Sequence, residues 1–262
     1  MIKAQLKQIY YLIVKTRNLL KGLFSKQKNN KYLFILSPPY CGSTILHEVL
    51  STSNNVSVNN KLGAREGQTL PGVALHMYND LHVRWDKSKR LPWKTIKTQW
   101  EKYCDKSKVV LLEKSPPNII RATEIEKEFS PAYFLCITRN PYAFCESVIR
   151  KNNISAEDAA LFVIKCLKYQ RSNIDNLKNV LYFSYENFTN NTEKIKQEII
   201  DFLPEISDIQ TSGKFNAHNY FAKKSEIINY NASSIARLKR SELNKINSVF
   251  DKNKNLLKSF NY

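Results

Sequence analysis

The sequence predicts an α/β fold of three layers, a central and mainly parallel sheet flanked by helices, with a tight turn after the first strand. Three observations carry that expectation. Short apolar runs at 31–37, 109–113, 132–138 and 180–184 read as strands, and a stretch with helical spacing follows each of them. Three of these runs stop at Pro38-Pro39, Ser115-Pro116-Pro117 and Asn140-Pro141, which neither a strand nor a helix continues through. Strands alternating with helices pair in parallel through crossover connections. Finally, 262 residues without an internal repeat or a Pro/Gly/Ser-rich linker suit one core, so residues 31–262 read as a single domain behind a basic amphipathic helix at 1–30.

In order along the chain, Ile2, Leu6, Ile9, Ile13, Leu20 and Leu23-Phe24 form a rough stripe at helical spacing among Lys3, Lys7, Lys15, Arg17 and Lys21. The longest unbroken apolar run, Ile9 to Val14, falls far short of the roughly 20 residues a spanning helix needs. No small-residue cleavage site follows it. Two readings stay open, a helix packed on the domain and a helix lying on a membrane surface. Helices are expected at 44–53, 95–103, 118–129, 142–151, 156–177 and 192–203. Asn54 to Asn60 reads as a polar turn, 61–107 lacks a long clean period, and the irregular, basic stretch 205–240 suits a loop closing over a site.

Net charge is +18, from 41 Lys plus Arg against 23 Asp plus Glu. Lys and Asn are abundant throughout, so the run at 21–31 reads as a solvated segment. No nucleic-acid-binding motif accompanies the charge, and nucleic acid is not an expected partner. Cysteines 41, 104, 136, 145 and 166 are odd in number and form no CxxC pair. That argues against a disulfide framework or a zinc site and for a reducing, cytoplasmic setting, with membrane-peripheral placement open through the first helix. Histidines 47, 76, 82 and 218 lack metal-ligand spacing, so no metal is expected.

Four constellations sit at strand-to-helix boundaries. The first is Pro38-Pro39-Tyr40-Cys41-Gly42-Ser43-Thr44-Ile45-Leu46. A helix start with unpaired N–H groups suits a phosphate, while Ser43 or Thr44 as an ordinary N-cap explains the same residues equally well. It is not a Walker A loop, because no Gly-Lys pair occurs. The second is Glu113-Lys114-Ser115-Pro116-Pro117-Asn118, at a strand end where α/β folds bind ligands. In the third, Arg139 ends a strand and Ser147 lies eight positions on, so a guanidinium and a hydroxyl can converge on a phosphate. The fourth is Tyr185-Glu186, after the strand ending at Ser184.

Together these resemble the sulfotransferases that use 3′-phosphoadenosine 5′-phosphosulfate (PAPS), over residues 31 to about 240. The resemblance implies a P-loop-like fold that moves a sulfuryl group from PAPS to a hydroxyl or amine without a metal. Tyr40, Cys41, Gly42, Ser43, Thr44 and Ile45 would hold the 5′-phosphosulfate, Arg139 and Ser147 the 3′-phosphate, and Tyr185 the nucleotide near its adenine or 3′-phosphate. Arg237, in the loosely matching segment Ser234 to Leu238, would add charge. Lys114 aligns with a family lysine beside the transferred group. Tyr40 departs from the pattern, since the family usually carries Lys or Arg there, and a chain of this fold that binds nucleotide but is catalytically impaired is the alternative reading.

A base must take the acceptor's proton. Arg65-Glu66-Gly67-Gln68 resembles a family segment that supplies one, which makes Glu66 the candidate, with an Arg65-paired loop carboxylate as the plain reading and His76 or His82 as alternatives. Residues 61–107 are expected to build the acceptor pocket. The acceptor itself is open among glycans, lipids and small alcohols.

Overall fold

A computed structural model of the chain describes residues 2–24, 29–216 and 224–262, with the backbone alone at 2–4, 23, 24, 81 and 82. In chain order the elements are α1 (Ile2–Phe24), β1 (Lys31–Leu36), α2 (Ser43–Leu50), β2 (Val56–Val58), α3 (Ala74–Met77), α4 (Leu81–Arg84) and α5 (Trp93–Lys102). There follow β3 (Val110–Glu113), α6 (Ala122–Glu128), β4 (Ala132–Thr138), α7 (Pro141–Asn152), α8 (Ala156–Asn176) and β5 (Val180–Ser184). The chain closes with α9 (Tyr185–Asn190), α10 (Thr192–Phe202), α11 (Asn231–Ile235), α12 (Arg240–Asp251) and α13 (Lys254–Lys258).

The five strands form one sheet in the order β2-β3-β1-β4-β5, every pair parallel. Strand alternation splits the core into the two interfaces of a three-layer fold. Phe34, Leu36, Phe134 and Cys136 pack on one side with residues of α5, α6, α7, α8 and α12. Leu33, Ile35, Leu135 and Ile137 pack on the other with α2, α9 and α10. The sequence-derived strands therefore read as unbroken apolar runs because both of their faces are buried.

Three local expectations are corrected. Asn54 to Asn60 is not simply a turn, because Val56–Val58 pairs with β3 as an edge strand. Val56 and Val58 join the α2 side of the core, while the Ser57 hydroxyl accepts the Asp105 N–H at 2.7 Å on the other. One alternation between asparagines is too short to announce a strand. The helix expected at 118–129 starts as a 3₁₀ turn over Pro116–Ile120 and becomes α-helical at Ala122. Pro116 and Pro117 occupy the first two positions of that turn, where a missing N–H leaves no helix bond unmade. Residues 205–240 contain a short bridge, Phe215 with Ser225, and the helix α11.

The first helix packs on the domain. Tyr11 is buried, its ring 5.6 Å from that of Tyr103, and its hydroxyl donates to Asn60 Oδ1 at 3.2 Å. Near the far end of the helix, Lys21 Nζ lies 2.6 Å from Asp105. Among the described residues no helix is long and apolar enough to cross a membrane. All five cysteines are buried thiols.

Candidate active site

The carboxyl ends of β1, β3, β4 and β5 each release one constellation, and the four meet. β1 and β4 stop pairing at Leu36 and Cys136. There the buried side chain of Gln170, from α8, donates to the Leu36 carbonyl at 2.7 Å and the Ile137 carbonyl at 2.8 Å. Those strand ends would otherwise leave buried carbonyls unpaired as the chains diverge. The crevice that opens beyond them is a cavity of about 570 Å³, lined by Gly42 to Ile45, Ala64, Glu66, Lys114, Arg139, Tyr185, Ile228 and Tyr230 among others.

Its floor is the start of α2. Gly42, not Ser43 or Thr44, is the N-cap, at φ 84° and ψ 6°, and no side chain caps the helix. The first-turn N–H groups are therefore without intrahelical acceptors where the helix dipole is positive. Only glycine fits: a Cβ on residue 42 would lie 2.6 Å from the Tyr185 ring as well as demanding a left-handed backbone. Cys41, expected among the anion-holding residues, does not line the cavity: it is buried in the core beneath the turn, and burial pushes its thiol up.

Lys114 is 2 % exposed and stands over this helix start. Its Nζ donates to Thr44 Oγ1 at 3.2 Å and to the Ala64 carbonyl at 2.6 Å, and lies 3.7 Å from Glu66 Oε1. Burial pulls its ammonium below the ordinary lysine range. Glu66 is positioned by Glu113 and Ser115, which flank Lys114. Glu113 Oε1 accepts the Gly67 N–H at 3.1 Å, and Ser115 Oγ accepts that of Gln68 at 3.0 Å. Burial pushes Glu113 up to about 7, although hydrogen bonds from Ser115, Gly67 and Asn118 oppose it. Gly67 is again obligatory, since a Cβ there would meet Asn59, Glu113 and Trp100 within 2.7 Å. Arg65 pairs with Glu48 at 2.5 Å, not with Glu66. Arg84 Nη2 instead lies 3.8 Å from Glu66 Oε2.

At the other end Arg139 lies over the Tyr185 ring, 4.8 Å from its centroid. Its Nη1 donates to the Tyr40 carbonyl at 2.7 Å and to Ser147 Oγ at 3.4 Å, its Nε to Asn231 at 2.8 Å, and its Nη2 to Ser234 at 3.2 Å. The Tyr40 contact holds a left-handed tyrosine, φ 64°, whose phenol donates to Asn152 Oδ1 at 2.8 Å. Tyr185 donates to the Ile228 carbonyl at 2.8 Å and so draws the closing segment over the cavity.

Of the residues expected from sequence, Tyr40, Gly42 to Ile45, Glu66, Lys114, Arg139 and Tyr185 all line the cavity, and Ser147 touches Arg139 behind it. Arg237 stands apart: its Nε and Nη2 hold Glu146 at 2.6 and 3.1 Å, and it does not line the cavity. Burial alone would raise Glu146, but its bonds to Arg237 and Arg150 hold it down at about 2, so the pair fastens the closing segment to α7 as an ion pair. His76 does not line the cavity either, and the His82 side chain and His218 lie outside the described residues. Sequence reasoning missed Asn231 and Ser234 as partners of Arg139, and Arg84 and Lys151 as cavity cations. Lys151 had a usable signal, lying four residues after Ser147 and thus on the same helix face.

No protein-family model and no curated protein sequence matches the chain. Solved structures do. A sulfotransferase of Mycobacterium tuberculosis aligns with a TM-score of 0.54 at 10% identity, over 86% of this chain and 76% of that one. A Mycobacterium avium sulfotransferase aligns at 0.51 and 10% identity over 96% and 81% of the two chains, and the sulfotransferase domain of a Synechococcus olefin synthase at 0.50 and 18% over 85% and 95%. The order of strands, the cradle at the start of α2 and these neighbours agree: the chain has the sulfotransferase fold.

Proposed function

We propose that the protein transfers a sulfuryl group from PAPS to a hydroxyl or amine of an acceptor molecule. The observation that supports this is one cavity with two groups suited to anions, the uncapped start of α2 beneath Lys114 and the Arg139 guanidinium with Ser147 behind it, on either side of the Tyr185 ring. A single phosphate needs one such site, whereas a nucleotide carrying a 5′-phosphosulfate and a 3′-phosphate needs both. The cradle that a Cβ at Gly42 would fill suits close approach of an anion to backbone.

PAPS would supply the sulfuryl group. Gly42 to Ile45 would orient its phosphosulfate, and Lys114 would meet the negative charge that builds on the bridging oxygen. Glu66, beside Lys114, would take the acceptor's proton. Tyr40 favours the second reading, a catalytically impaired nucleotide-binding protein, because its phenol is committed to Asn152 and brings no positive charge. Transfer from sulfur-labelled PAPS to a panel of glycans, lipids and small alcohols separates the two.

Binding tests the shared part. Adenosine 3′,5′-bisphosphate is expected to bind more tightly than AMP by calorimetry. A charge-assisted bond contributes about 1.5–3 kcal/mol, so Arg139→Ala should weaken bisphosphate binding about ten-fold or more. Because Arg139 also holds the Tyr40 carbonyl, the decisive quantity is the ratio of the two affinities, which should collapse in the variant. Equal affinities in the wild type would remove this function.

A further inference from the structure

The first helix has one side covered by the domain and an apolar side that is not. Tyr11 and Asn18 are buried against the domain. Leu6, Ile9, Leu12, Ile13, Leu19 and Leu20 are 51–67% exposed, and at about 100° per residue they fall within an arc of about 140° opposite that seat. Scattered apolar residues are ordinary on a surface, but six on one helix face form a patch that marks an interaction site.

The charge around the patch has one sign. The helix itself, residues 2–24, carries five Lys or Arg and no Asp or Glu. Ile13 also borders a second cavity, about 330 Å³, between α1 and β2. Arg17, Lys21, Lys61 and Lys108 line it with one carboxylate, Asp105, already paired to Lys21.

We propose that this face of α1 docks on an anionic membrane surface, its aliphatic stripe in the acyl boundary and its basic surroundings against lipid phosphates. Pairing the face with a second copy would gather five cations from each helix, against the one carboxylate, Asp105, that pairs with Lys21 among the described residues. A protein partner is disfavoured by the stripe's make-up: it is wholly Leu and Ile, without the aromatic or arginine anchors that dominate protein interfaces. A bilayer asks only for apolar area and opposite charge. The inference is independent of the proposed transfer reaction.

The test is co-sedimentation of the full chain with vesicles of phosphatidylcholine alone, and with phosphatidylcholine and phosphatidylglycerol in equal parts. Binding to the anionic vesicles, weakening with added salt, is expected. The doubly substituted variant Leu12→Glu with Leu19→Glu should lose about ten-fold or more of that partition, with its thermal midpoint unchanged because both positions are exposed. Lys15→Gln should lose about five-fold. Absent binding, equal binding to neutral vesicles, or an undiminished partition in the doubly substituted variant would overturn the proposal. So would a wild-type dimer or complex with an acidic protein that Leu12→Glu dissolves and anionic vesicles do not displace.

Discussion

In the proposed transfer, Lys114 would carry the charge that Tyr40, standing where a basic residue is expected, does not supply. Lys114 is buried between the Thr44 hydroxyl and the Ala64 carbonyl, so its position is set before any ligand arrives. Losing a preorganised donor at a developing oxyanion costs on the order of 3–4 kcal/mol, and Lys114→Ala should nearly abolish single-turnover transfer at saturating PAPS. Tyr40→Phe removes one bond to Asn152 on a part-exposed ring and should be mild, while Tyr40→Arg should keep or raise the rate. The reverse pattern would make the tyrosine the electrophile. Burial also lowers the Lys114 pKa, so its charge is lost as pH rises at a lower value than the 10.5 of an ordinary lysine. Transfer should therefore fall on the alkaline side from below that value, and Lys114→Arg, whose guanidinium stays charged, should lose that limb while keeping part of the activity.

At the scale of elements, the end of β3 and the loop before α3 act as one piece. Glu113 and Ser115 hold the backbone of Gly67 and Gln68, and this is what brings Glu66 to Lys114 across nearly fifty residues of chain. Glu113 carries a testable cost for that service. Its folded-state pKa of about 7 lies above the 4.5 of an ordinary glutamate, so its contribution to stability is full below about 4.5 and is lost as pH rises through 7. The difference is on the order of 3 kcal/mol. Glu113→Gln keeps an acceptor for Gly67 and cannot ionise, and the unpartnered Asn118 Oδ1 can turn to accept from the new amide. Urea unfolding should show the wild type losing stability relative to the variant between pH 5 and 8; parallel curves would place the ionisation elsewhere. Much of this architecture was legible beforehand. Four strands stood out because two buried faces make an apolar run, and their breaks coincided with the motifs. β2 did not, since a three-residue edge strand alternates only once. Gln170 did not either, because a buried glutamine on a helix is defined only by the carbonyls it meets. Arg237 was read as a ligand contact because spacing along the chain carries no information about Glu146, ninety-one residues earlier.

Over the whole molecule, the cavity is walled by segments from residue 39 to residue 230, and side-chain ties hold the segment that closes it. Glu186 collects three of them: the Asn140 N–H, the Asn231 amide and, through the Tyr262 hydroxyl at 3.1 Å, the chain end. A ligand touching both proposed anion sites and Tyr185 would engage β1, β4, β5 and the closing segment together, so binding should register as global stability. At a hundred-fold excess over Kd the gain is about 2.7 kcal/mol. For a chain of this size that corresponds to a rise in Tm of roughly 5–10 °C. AMP at the same concentration should give a smaller rise, because it leaves Arg139 and Ser147 unused. Glu186→Ala should lower the ligand-free Tm, and the bisphosphate should recover less of it, since Asn231 then holds Arg139 without its own anchor. A Tm indifferent to the bisphosphate would mean that the two anion sites are not bridged by one ligand. Equal shifts with AMP would remove Arg139 and Ser147 from phosphate recognition. A Glu186→Ala protein that melts and binds like the wild type would show that Glu186 does not hold the closing segment, leaving that role to its contacts with Arg139, Glu146 and Tyr185.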